Sequence, residues 1–539
     1  MSNKMKRTFI LMAMMAVVSF CVKAEGKADY QVVPMPKSIE MESGKPFVLD
    51  NRVTIYYEGG EDMKRNAEFL ADYIEKCTGM RLDVTTKKNK FHQIQLVVRL
   101  KLVSDEDCYR LSVRENGVTI EGGAASGVFY GVQTLRKALP PDKGAVELPA
   151  VTINDEPRFG YRGMHLDCAR HFFSVAFVKK FIDILALHNM NTFHWHLTDD
   201  QGWRLEIKKH PELTQIGAMR SGTVIGNNSD VDDGIPYGGY YTQAETREIV
   251  DYARKRFIKV IPEIDVPGHA MAILAAHPEL GCTGGPYEVG HKWGVYNDVL
   301  CVGNPKTYEL VKDVLDEVME LFPSETIHIG GDETPTVRWE KCAKCQAYDS
   351  PQGYFTKQIT DYLASKGHRA VCWDESLEKG VDSGTTIMSW RGMKPGIKAA
   401  EAGYDVVMTP LTHSYFDYYQ TEDKNYEPSI TGMWPISVEK VYSLEPVPDS
   451  LTIEARQHIK GVQANIWTEQ IGSSNVVEYM TLPRIGALAE VAWTAAGKKD
   501  FDDFKARITR LAQLYDEYGW IYAKHLWPEQ MTKDRWKID

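Results

Sequence analysis

Residues Thr326 to Pro335 read TIHIGGDETP: an alternating, β-branched run, then two glycines, then two adjacent acids. Successive side chains on a strand point to opposite faces. Asp332 and Glu333 can therefore meet one ligand only if the strand has stopped and the backbone has turned. Gly330 and Gly331 permit such a turn and let a ligand approach the main chain closely. Two carboxyl groups facing one site raise the pKa of at least one of them, which keeps a proton available near neutral pH beside an ionised partner. A general acid next to a carboxylate is a combination suited to cleaving glycosidic bonds.

The elements that must position such a pair follow from periodicity. After Arg158 the chain alternates strand, loop and helix. Candidate strands are 161–167, 192–198, 259–265, 326–331, 370–374, 386–390, 405–409 and 461–467, and candidate helices include 175–188, 242–255, 305–321, 352–366 and 475–494. Eight strands with intervening helices predict an α/β fold, a (β/α)8 barrel with long insertions; a doubly wound open sheet is the alternative. Before the barrel, 25–157 reads as a small α+β domain, with a helix over 63–78 and an Asn-Gly hairpin turn within YRLSVRENGVTIEGG. The barrel is expected over 158–500. The C-terminal segment 501–539 opens with apolar residues at helical spacing over 501–518 and is expected to pack on the barrel's outside.

Barrels of this kind carry function at the carboxyl ends of their strands. Those ends supply Asp167 and Arg170, Asp199 and Asp200, Glu263 and Asp265 with His269, Asp332 and Glu333, Trp373 and Asp374, Trp390 and Arg391, Tyr415 and Asp417, and Trp467 with Glu469. A single tryptophan there is usually core, and a single aspartate is often a helix cap. Recurrence around one rim is what points to a site. His194 and His196 share a strand face and could bind a metal together with Asp199, but they lie inside the strand and read as structural.

Bulk properties narrow the class. The chain has 539 residues, 43% hydrophobic and 25% charged, with a formal charge of −11 and no basic run, which argues against nucleic acid or an anionic membrane as partner. Lys4, Lys6 and Arg7 precede an apolar run from Phe9 to Val22, so 1–24 reads as a signal peptide and the mature protein as exported, periplasmic or extracellular if bacterial. Lipidation at Cys21 is disfavoured by the bulky Phe20. Of the nine cysteines, Cys282 and Cys301 flank a glycine-rich loop and are the preferred disulfide pair. Cys342-Ala-Lys-Cys345 could close a tight disulfide or form half of a zinc site, but no second half is visible. Neither a cofactor nor a metal is expected.

The motifs LDCARHFF, HWHLTDDQGWR, PEIDVPGHA, HIGGDE, CWDE, MSWRG, YFDYYQ and QANIWTE, in this order, closely resemble glycoside hydrolase family 20, the β-N-acetylhexosaminidases, and the likeness extends into the N-terminal EGGAASGVFYGVQTL. The resemblance implies an exo-acting, retaining enzyme whose partner is a glycan with a terminal β-linked N-acetylhexosamine. It implies Glu333 as the general acid and then base, and Asp332 as the residue that orients the substrate's own 2-acetamido nucleophile. Tyr415 would bond the acetamido carbonyl, with Trp373, Trp390 and Trp467 boxing the methyl and the sugar face. Arg170, Asp417 and Glu469 would hold ring hydroxyls, and Asp199 and His269 would relay toward Glu333. The segments 221–239 and 281–297 fall outside every motif and could border the leaving group. Release of a disaccharide, a catalytically silent glycan-binding protein and a metal-dependent hydrolase are the competing readings.

Overall fold

The computed structural model of the protein describes residues 26–99, 106–141, 143–226, 230–429 and 434–531. The expected signal peptide, with Cys21, lies outside the described residues. No helix among them is long and apolar enough to cross a membrane.

The N-terminal region is a seven-stranded sheet in the order Ser38–Met41, Val151–Asp155, Tyr109–Arg114, Gly117–Gly122, Gln93–Val98, Thr54–Tyr57 and Asp83–Thr85. The Asn-Gly hairpin forms, with Arg114 paired to Gly117 across the turn. The helices Glu61–Thr78 and Ala125–Ala138 pack on this sheet and on each other, burying Leu70, Ile74, Val128, Phe129 and Leu135.

The barrel closes with eight parallel strands: Tyr161–Asp167, Thr192–His196, Lys259–Glu263, Thr326–His328, Arg369–Trp373, Thr386–Ser389, Val406–Met408 and Ile459–Ala464. The first strand pairs with the eighth, Tyr161 facing Gly461, so no edge is left open. All eight expected strands are present, and the open sheet is not. The expected helix over 475–494 is instead two, Ser474–Thr481 and Arg484–Trp493. Pro483 separates them, because proline lacks the N–H for the helical ladder and its ring clashes with the preceding turn. The fourth strand also stops early, at His328. Gly330 and Gly331 follow with φ of 65° and 90°, which takes the chain out of the sheet before the two acids.

Buried polar contacts hold the regions together. Arg162, in the first barrel strand, donates to Asp107 Oδ2 and to the Tyr130 hydroxyl of the N-terminal domain, each at 2.9 Å. The helix Phe501–Glu517 is capped by Asp500, whose side chain accepts from the Asp503 N–H. From it Arg507 reaches Glu490 Oε1 at 2.5 Å and the Val32 carbonyl at 3.0 Å, joining the C-terminal helix to Arg484–Trp493 and to the N-terminal strand region. Both charged side chains are at most 1% exposed.

Removing one member of a buried ion pair strands the other without compensation. Arg507→Ala is expected to lower stability by about 3–5 kcal/mol, read as a fall in the urea midpoint. An unchanged midpoint would show that the contact does not tie the regions together.

Candidate active site

The turn after the fourth strand is built around Asp265, which follows the third. Its Oδ1 accepts from the Gly331 N–H at 3.1 Å. A Cβ on residue 330 would fall 1.7 Å from that oxygen and 2.9 Å from the Asp265 Cα, so only glycine fits. Gln352 donates to the Gly331 carbonyl at 2.7 Å from the other side. Beyond the turn, Glu333 has φ of 44°, in the left-handed region, as does His269. Backbone strain of this kind persists only where the surroundings hold it.

A cleft of about 500 Å³ opens over this turn, within the range of small-ligand pockets. It is lined by Arg170, Asp332, Glu333, Trp373, Trp390, Tyr415, Asp417, Trp467 and Glu469, so nine of the expected site residues come together. Trp373 and Trp467 stand with ring centroids 5.9 Å apart, and Trp390 stacks on Tyr415 at 6.2 Å. Each wall is fixed: Trp373 Nε1 donates to Glu263 and Trp390 Nε1 to Glu375, both at 2.8 Å. At the far end Arg170 is held by Asp199 at 2.9 Å and Asp167 at 3.2 Å, with Glu469 at 4.0 Å.

The other two expected residues lie just behind the cleft. His269 Nδ1 is 3.2 Å from Asp199 Oδ1 and 2.9 Å from Asp200 Oδ2, while its Nε2 faces Asp332 at 3.8 Å and Glu333 at 3.7 Å. Burial opposes charge on this imidazole, but Asp199 and Asp200 overcome it and hold the histidine well above its usual pKa. The consequence for the acid pair is uneven. The contact with His269 holds Glu333 below the usual glutamate range, and its side chain is 44% exposed. Burial, reinforced by Asp265, raises Asp332 well above the usual range. The two acids are thus pushed in opposite directions, Asp332 up and Glu333 down.

His194 and His196 lie in the barrel interior. His196 Nδ1 lies 2.6 Å from Glu263 and its Nε2 2.9 Å from Asp199, while His194 Nδ1 accepts from Gln463 at 3.0 Å. The preferred pairing of Cys282 with Cys301 is not what forms: these thiols join Cys342 and Cys345 in one group of four free cysteines. The chain crosses back on itself there, bringing a third and a fourth thiol into contact with the expected pair.

Asp200, Glu375, Arg391, Leu411 and Tyr418 also border the site or its supports without having been assigned roles. Asp200 and Glu375 each follow another acid at a strand end, and that doubling was the available signal. The loops outside the motifs supply none of the cleft's lining and lie beside it instead. Thr223, Val224, Gly226 and Trp293 line a neighbouring pocket of about 260 Å³ that shares Glu469.

Paired acids, an aromatic box and an arginine clamp at the carboxyl end of a (β/α)8 barrel are arranged for work on a sugar. Comparison with known proteins gives that class its place. The model of "Glycosyl hydrolase family 20, catalytic domain" matches residues 159–496, and that of "Glycosyl hydrolase family 20, domain 2" matches 29–156. A β-hexosaminidase of Porphyromonas gingivalis is 41% identical over 518 residues, covering 93% of this chain; the chain spans 65% of that protein's length. The solved β-N-acetylhexosaminidase of Streptomyces coelicolor superposes with a TM-score of 0.81 at 32% identity, covering 93% of this chain and 99% of its own. An exo β-N-acetylglucosaminidase of Vibrio harveyi, solved with N-acetylglucosamine, gives 0.81 at 33% identity, covering 94% of this chain and 80% of its own. The chain belongs to glycosyl hydrolase family 20.

Burial lifts Glu375 to about 8, with Asp332 and Asp374 adding to the effect. A carboxyl group whose folded pKa is raised binds more protons folded than unfolded, so its contribution to stability is lost as pH rises from the ordinary glutamate value to about 8. Glu375→Gln keeps an acceptor for Trp390 and removes that titration. The difference in Tm, variant minus parent, is expected to grow from pH 4.5 to 8. A flat difference would refute the assignment.

Proposed function

We propose that the protein is an exo-acting, retaining β-N-acetylhexosaminidase that removes terminal GlcNAc or GalNAc by a substrate-assisted mechanism. The observation that carries this is a buried carboxylate oxygen, Asp332 Oδ1, with no hydrogen-bond partner among the described residues, in a cleft walled by tryptophans. Buried polar atoms are rarely left unpaired, and a bound acetamido N–H would satisfy this one. Asp417 Oδ1 is in the same condition at the hydroxyl-binding end.

The acetamido carbonyl oxygen attacks C1 as the glycosidic C–O bond breaks, and the departing oxygen takes the Glu333 proton. Asp332 as carboxylate steadies the positive oxazolinium ring, with the Tyr415 hydroxyl on the former carbonyl oxygen. Water then adds to C1, giving its proton to Glu333, and the ring reopens with configuration retained. The free enzyme pushes Asp332 up and Glu333 down, whereas this step needs the proton on Glu333 and the charge on Asp332. Donation by the acetamido N–H favours charge on Asp332, and covering Glu333 expels the water that keeps it ionised. An exported location, supported by the basic-then-apolar N-terminus, belongs to the same proposal, as does a glycan or glycoconjugate substrate.

Glu333→Gln is expected to lose roughly 10²-fold or more in kcat on an aryl β-N-acetylglucosaminide, and more on a disaccharide with a poorer leaving group. Equal losses on both substrates would contradict the acid role. A panel of defined β-linked GlcNAc and GalNAc oligosaccharides, followed over time, separates release of one sugar from release of a disaccharide.

A further inference from the structure

Behind the rim, four cysteines from two loops come together: Cys282, Cys301, Cys342 and Cys345. The Cys342-Ala-Lys-Cys345 half-site thus acquires a second half from the loop after the third strand. The Sγ atoms of Cys301 and Cys345 are 3.6 Å apart, those of Cys282 and Cys345 3.7 Å, and those of Cys301 and Cys342 3.8 Å. All four lie within 4.8 Å of one another. Four thiolates about 2.3 Å from one zinc ion at tetrahedral corners stand about 3.8 Å apart. Disulfides would sort the sulfurs two by two at about 2.05 Å. Here Cys301 and Cys345 each sit at near-equal distance from two others.

The surroundings are shaped for such a group. The backbone N–H of Gly303 faces the sulfurs of both Cys301 and Cys345. A Cβ at Gly303 would fall 2.4 Å from the Lys344 carbonyl oxygen, so the loops meet only because glycine is there. The N–H groups of Cys345 and Gln346 both turn back to the Cys342 carbonyl, at 2.9 and 3.0 Å, folding the Cys-X-X-Cys segment around its sulfurs. Cys301 and Cys345 are buried and the other two half-buried.

We infer that these four residues form a closed, all-cysteine site for a structural zinc ion, each thiol giving up its proton on binding. Four protein ligands leave no open position for chemistry. The site acts by position. Leu300, beside Cys301, donates its N–H to the Pro267 carbonyl at 3.0 Å, two residues from His269. Trp339 donates to the Leu300 carbonyl at 2.9 Å, and Arg338 pairs with Asp298 at 2.7 Å, from the loop that begins with Asp332 and Glu333. The ion clamps together the two loops that carry His269 and Glu333.

The inference is independent of the glycosidase reading, because it is tested without substrate. Full-length protein, purified untagged and without chelator, is expected to hold one zinc per chain by elemental analysis. Its four clustered thiols should react with a thiol reagent only after denaturation with EDTA. Replacement of the ion by Co(II) should give sulfur-to-cobalt charge-transfer bands and the visible bands of a tetrahedral site. Cys342→Ser and the half-buried Cys282→Ser should lower both zinc content and Tm. If neither variant folds, the metal content and thiol count of the parent decide. Metal-free protein with any disulfide among the four in peptide mapping, or with four thiols reactive in the native state, would overturn the site.

Discussion

The carboxylate of Asp265 occupies the space that any side chain at position 330 would need, and the rim is organised by that exclusion. Because the space is taken, the fourth strand cannot continue as a pleat. It ends at His328, turns through two glycines at positive φ, and hands Asp332 and Glu333 to the cleft on a backbone already bent. The same Asp265 oxygen accepts the Gly331 N–H, so one carboxylate both forbids the strand and anchors its replacement. The third strand's acid thereby sets where the fourth strand's acids can be.

Charge is then distributed in a chain of unequal environments. Asp199, balanced by Arg170 and His269, stays ionised despite burial. His269 holds the part-exposed Glu333 down, while burial in a drier position pushes Asp332 up. Neighbouring residues of one chemical type thus acquire opposite states through differences of a few ångströms in depth and partner. Such a pair is poised to exchange roles when a ligand changes who is wet and who is bonded.

The barrel was legible because its strands are short apolar runs flanked by polar turns, and because the acids, arginine and aromatics recur at one end of every strand. The ladder of helices was less so. Pro483 is a visible break, but the apolar spacing on either side of it, from Val476 to Trp493, runs on as though uninterrupted. Roles for Arg170, Tyr415 and Asp417 came from the resemblance alone, since nothing in a linear spacing says which side chains will share a cavity. The contact with Asp200 was hidden for the same reason: His269 meets both adjacent aspartates only once the loops of two strands have come together. The four-cysteine cluster was out of reach because its members approach only after the loops of two strands have folded over each other.

His269 and Glu333, at either side of one 3.7 Å contact, both hold φ of 44°, a conformation natural to glycine and costly for them. Glycine at Glu333 would relax the main chain, whereas glycine at His269 would also leave Asp199 and Asp200 buried without their partner. The rim therefore stores backbone strain at the two residues that face each other across the acid pair, and at one of them the same side chain that causes the strain holds the charges behind the cleft in place.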